Sequence, residues 1–195
     1  MQNEGVEKAE RYSSGGLVVG VIGLVFVAIA IGYGLLDPEA GFAPWAYPFC
    51  LLLGVLIWMI LIRPALRLHH DELELRNALH TRWVPFALIT SVEIGQVTVV
   101  NVGETKYVGS GFGRTRRTIR QDKSAAHDTP LEKRSTAWLI EDKLHRRMAA
   151  GQERAARELR SGEGVERRVR HAWAWPEIGA LVVLLVATVV LALVG

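Results

Sequence analysis

Cysteine is almost absent: Cys50 is the only one in the chain. That excludes an internal disulfide framework and any multi-cysteine metal site. Charge is missing from three long stretches, 15–36, 45–62 and 178–194, although 22% of all residues are charged. Nearly all of that charge falls in 63–175. A chain divided this way is neither an evenly mixed soluble domain nor a disordered polymer. Lysine and arginine are also missing from 37–44, the connection between the first two uncharged stretches. Within the three stretches, polar capacity is limited to Thr188 and the tyrosines Tyr33 and Tyr47. Transport pathways are built from polar or ionisable groups inside spans, so a transporter core is disfavoured.

What is present is apolar length. Gly15–Leu36 holds 22 uncharged residues, about 33 Å as a helix, enough to cross a hydrocarbon core of about 30 Å. Trp45–Ile62 would span about 27 Å, and Ile178–Val194 is close to the lower limit for a span. A cleaved signal peptide is the competing account of the first block. Its apolar core is too long for that, and no A-x-A site follows. The third block carries no polar stripe at helical spacing, unlike the amphipathic helix of a small soluble protein. Asp37–Pro44 suits a tight hairpin between the first two spans, with Pro38 and Pro44 at its ends. Gly16 and Gly20 form a small-xxx-small pair, read here as the ordinary abundance of glycine in membrane helices.

Charge sets an expected topology. Lys8 and Arg11 precede the first block, none lies in 37–44, and the remaining 21 basic residues lie between Arg63 and Arg170. The middle region sets 21 basic against 14 acidic residues, a net of +7. The N-terminus and 63–175 are therefore expected in the cytoplasm, with the C-terminus outside.

The charged middle reads first as strands. Leu66, Leu68, Leu73 and Leu75 alternate with polar residues about His70-Asp71, a strand–turn–strand pattern. Further strands are expected at 81–84, 89–96, 97–102 and 105–108. Gly109–Gly113 (GSGFG) reads as a flexible loop and Arg114–Arg120 as a basic run. Thr129-Pro130-Leu131-Glu132 is a helix-start signal, with the helix expected to run to about Leu159. Ala137, Ile140, Leu144 and Met148 form its apolar stripe, and Gly162 and Gly164 end it. After Gly151 the helix reads as a solvated spacer.

Strands followed by one helix, between membrane spans, resemble the bacterial pleckstrin-homology-like (PH-like) domains of small membrane proteins. The residues carrying the resemblance are Arg63-Pro64-Ala65-Leu66-Arg67-Leu68, Asp71-Glu72-Leu73, Arg76-Asn77 and Arg82-Trp83-Val84-Pro85-Phe86, with Ile89 and Val92 following. Ser135–Asp142 and Trp173–Ile178 also look like members with two spans before the domain and one after. The resemblance implies a bent antiparallel sheet or barrel of seven strands, capped by a C-terminal helix. Arg114–Gln121 is the only candidate for the seventh strand. Phosphoinositide-binding members place basic residues around the first hairpin loop. Here that loop is His70-Asp71, without lysine or arginine at its tip.

Little else points to chemistry. His69, His70, Asp71 and Glu72 are adjacent ligand types, but neighbouring strand residues face opposite ways, so a solvated turn is expected. Gly109–Gly113 lacks the lysine and spacing of a phosphate loop. Arg114, Arg116, Arg117 and Arg120 are candidates for contact with an anion or an acidic partner. Arg167, Arg168, Arg170, Trp173 and Trp175 are candidates for the membrane interface. No catalytic, cofactor or metal residue is assigned.

The expected organisation is α+β with membrane helices. It comprises an N-terminal tail (1–14), a two-span hairpin (15–62), a cytoplasmic PH-like domain (63–150), a helical tail with a basic linker (151–175) and a third span (176–195). The expected function is a non-enzymatic interaction or scaffold module in the plasma membrane, the alternative being an accessory subunit of a membrane enzyme or transporter. Expected partners are anionic lipid headgroups, without lipid specificity, and a protein partner or a second copy. Nucleic acid is not expected, because no aromatic platform accompanies the basic run.

Overall fold

A computed structural model describes residues 9–13, 15–37, 42–114 and 136–194. The fold is α+β, with two antiparallel sheets and three apolar helical segments. The chain divides into two units. One comprises Met1–Ser14, Ala65–Asn77 and Thr81–Ala172; the other comprises Gly15–Pro64, Ala78–His80 and Trp173–Gly195.

The first unit is built on strand β1 (Glu10–Tyr12), β2 (Ala65–Leu68), β3 (Glu72–Arg76), β4 (His80–Pro85) and β8 (Arg170–Trp173), in sheet order β1-β2-β3-β4-β8. β2 and β3 pair in the register that the leucine alternation demands: Leu66 opposite Leu75 and Leu68 opposite Leu73, all buried. The other face places Arg67 opposite Glu74, a 3.5 Å ion pair. Pro85 ends β4, and a 3-10 turn over Phe86–Leu88 buries Phe86 completely. A second sheet follows, β5 (Ser91–Ile94), β6 (Thr98–Val102) and β7 (Thr105–Gly109), in that order.

Helix α3 (Thr136–Ser161) closes this unit. Its four buried residues are Ala137, Ile140, Leu144 and Met148, the stripe read from the sequence. They join one core with Leu66, Leu73, Val84, Phe86, Ile89 and Val100. A buried leucine such as Leu144 contributes roughly 1.5–3 kcal/mol by its removal from water. The helix ends at Gly162, whose φ of +78° only glycine adopts readily, and the Glu163 N–H returns to the Glu158 carbonyl at 3.0 Å. The expected helix start at Thr129 lies outside the described residues.

Two strands depart from the expected organisation. Part of the N-terminal tail is β1, paired with β2 through Glu10–Leu68 and Tyr12–Leu66. Part of the expected linker is β8, at the opposite edge. The Gly109–Gly113 loop is also not loose. A Cβ on Gly111 would lie 2.2 Å from the Ala65 nitrogen, and one on Gly113 would lie 2.0 Å from the Gln96 carbonyl oxygen. Glycine is needed here because backbone packs on backbone. Asn77 secures the loop: its amide donates to the Val108 carbonyl at 2.9 Å, and its oxygen accepts from the Ser110 N–H at 2.8 Å.

The second unit holds α1 (Gly16–Leu36), α2 (Ala46–Ile57), which continues as a π-helical turn over Trp58–Ile62, and α4 (Trp175–Val194). α1 and α4 are each long and apolar enough to cross a membrane, with mean hydropathy of 2.5 and 2.8. The Ala46–Ile62 segment is shorter. None of α4's described residues is buried, and Phe26, Leu36 and Leu193 stand open on the helix surfaces. α2 packs against both α1 and α4. The Gly16–Gly20 pair is used for packing rather than being incidental. A Cβ on Gly20 would lie 2.6 Å from Ile62, and one on Gly16 would lie 3.1 Å from the Leu61 carbonyl. At the other end of α1 the Tyr47 hydroxyl donates to the Gly34 carbonyl at 2.8 Å.

Candidate functional site

The residues singled out from the sequence are scattered and mostly engaged. Arg114 is largely buried and paired with Glu141, so it ties the glycine loop to α3. Arg116, Arg117 and Arg120 lie outside the described residues. Arg170 donates to both carboxylate oxygens of Glu72, at 2.7 and 2.8 Å, and its guanidinium lies 5.5 Å from the centre of the Trp83 ring. Arg167 pairs with Glu158 and Arg168 with Glu166. Trp173 meets the His80 ring edge-on at 6.0 Å, and both Trp173 and Trp175 are exposed. The His69–Glu72 run does not converge. His69 turns to Glu74 at 2.8 Å, and no metal-ligand group of three forms among the described residues.

Sequence reasoning missed a cleft in the first unit. Its lining is His70, from the β2–β3 turn, and Lys143, Arg146, Arg147, Ala150 and Arg154 from α3, around a volume of about 560 Å³. Helical geometry produces it. Positions 143, 147, 150 and 154 are spaced four, three and four apart, so they share one face. That face lies beside the apolar stripe 137, 140, 144 and 148, which the core buries. The same periodicity read one stripe over would have found it. Ala150 is the small residue in the row, and its short side chain leaves the depression open.

Each cation of the cleft already has a partner. Lys143 pairs with Glu10, Arg146 with Asp142 at 2.6 Å, and Arg154 with Asp71. Arg147 donates to the His69 carbonyl at 3.1 Å. The Lys143 hydrogen bond, then that of Tyr12, holds the Glu10 carboxyl below its ordinary value of 4.5. Burial, then the hydrogen bond to Glu10, pushes the Tyr12 phenol up to about 12. Tyr12 also leans on Phe112 of the glycine loop, with ring centres 6.2 Å apart. The arrangement can offer positive charge from several directions to one anion.

Compared with known families, curated proteins and solved structures, the chain matches none.

Proposed function

We propose that the chain is a multi-pass membrane protein that presents a cytoplasmic domain of the PH-like class as a non-enzymatic interaction module. The observation that carries this is how short the connections between sheet strands and apolar helices are along the chain. Three residues separate β1 from α1, two separate the π-helical turn from β2, and one separates β8 from α4. Apolar helices joined to a strand-rich domain by such short connections support a membrane-anchored module. The resemblance in residues 63–92 supports the PH-like class, as does closure of a strand-rich unit by a helix carrying a buried stripe. The distribution of basic residues supports a cytoplasmic domain. At the membrane end, the exposed Trp173 and Trp175 suit the interface, and Arg168 can reach anionic headgroups.

Reporter fusions at Ala40, Ser124 and Gly195 test the topology. The expected pattern is outside, inside and outside. An outside signal at Ser124 would remove the cytoplasmic assignment.

A further inference from the structure

Among the described residues, the cleft between the His70-Asp71 turn and α3 is lined by four cations, Lys143, Arg146, Arg147 and Arg154, and by no carboxylate. We infer that this cleft is a binding site for a phosphate-bearing anion of several charges. The existing ion pairs do not close it. Their side chains are more than a third exposed on both partners: 36% and 38% for Lys143–Glu10, 74% and 40% for Arg146–Asp142, and 40% and 71% for Arg154–Asp71. Pairs this exposed hold only weakly against solvent, so a more highly charged anion can displace their carboxylates. What the pairs do is hold the long side chains near their working positions before a ligand arrives.

Three arginines favour phosphate. The planar guanidinium matches phosphate oxygens two at a time, and a terminal phosphate offers three such edges. A single carboxylate neutralises one of the four cations, whereas linked phosphates neutralise them together. The volume lies within the roughly 300–1,000 Å³ of small-ligand sites, with cations where most such sites have apolar walls. The turn contributes His70 but no lysine or arginine, so the site belongs to the helix face rather than to the hairpin loop. The cleft would take such an anion on either side of a membrane, so this goes beyond the topology proposed above.

The test uses the full chain in phosphatidylcholine nanodiscs, titrated with sodium tripolyphosphate by calorimetry. Saturable one-to-one binding that weakens with added salt is expected. Ala150→Glu places a carboxylate in the cleft lining at an exposed helical position and should weaken binding about tenfold or more. Arg146→Gln, also at an exposed position, should weaken it too. Arg157→Gln, on the same helix but outside the cleft, should leave binding unchanged. Nanodiscs of equal parts phosphatidylcholine and phosphatidic acid distinguish the source. Tripolyphosphate affinity reduced further there than in nanodiscs given the same surface charge by a carboxylate-bearing lipid assigns the cleft to a lipid headgroup, and a reduction no greater than that assigns it to a soluble phosphate compound. No saturable binding, equal binding by Ala150→Glu, equal loss in Arg157→Gln, or equally tight binding of a glutamate oligomer would overturn the inference.

Discussion

Arg63 makes a buried, charged contact in the helical unit. Its Nε donates to Glu177 Oε1 at 3.1 Å and its Nη1 donates to the Ala78 carbonyl at 3.0 Å, with only 5% of the side chain exposed. Glu177 stands in the first turn of α4, where a carboxylate also complements the helix dipole. Removing one member of such a pair strands the other charge, at a cost of about 3–5 kcal/mol. Arg63→Met alone should therefore lower the thermal midpoint of the purified protein sharply. The double change Arg63→Met with Glu177→Leu should recover most of the loss, because two apolar residues replace two satisfied charges. If the double variant is as unstable as the single one, the pair is not what holds this end of the unit. The sequence places both residues at the margins of apolar blocks, where Arg63 reads as a topology signal. Their pairing across 114 positions was invisible, because a salt bridge has no sequence periodicity. Gly111 was misread for a related reason. Glycine looks the same in a loose loop and in a backbone-on-backbone contact, and only the proximity of Ala65 separates the two cases.

Elements with a period were legible and elements without one were not. β2, β3 and α3 announced themselves because burial on one face imposes alternation or a stripe on several consecutive residues. β1 has three residues and β8 has four exposed ones, so neither had a face to imprint. β1 is nonetheless clasped, through Tyr12 to Glu10 and through Glu10 to Lys143 of α3. The clasp should respond to pH at both extremes. The folded Glu10 carboxyl titrates below the ordinary 4.5, so its contribution is complete above that value. It is lost as pH falls through the lowered folded value. The folded Tyr12 phenol titrates at about 12 rather than 10, so its contribution is complete below pH 10 and is lost as pH rises through 12. Amide exchange at Arg11 and Tyr12, corrected for intrinsic rates, should be most protected at neutral pH and lose protection on acidification. The same profile in Glu10→Gln would show that the clasp plays no part.

At the scale of the whole molecule, charge was read as one signed block, yet several of the described basic residues are paired with carboxylates of the same chain. Arg114, Arg167 and Arg170, expected to meet lipid or a partner, each pair with a carboxylate within their own unit. Arg168 differs. Its side chain is 76% exposed and its partner Glu166 lies open beside it. An anionic leaflet attracts a basic side chain held near its surface by about 1 kcal/mol. If the segment before α4 meets such a leaflet, Arg168 should supply most of the attraction, with Arg167 and Arg170 held back by Glu158 and Glu72. A spin label at Glu163→Cys, in a Cys50→Ser background, reports this segment. Its mobility should be lower in vesicles containing phosphatidylglycerol than in neutral ones. Arg168→Gln alone should recover most of that difference, whereas Arg170→Gln should recover little and instead weaken the hold of β8 on Glu72. Equal mobility of the unmodified segment in both vesicles would leave these arginines with a role in insertion topology and in folding, and none in holding the segment to lipid.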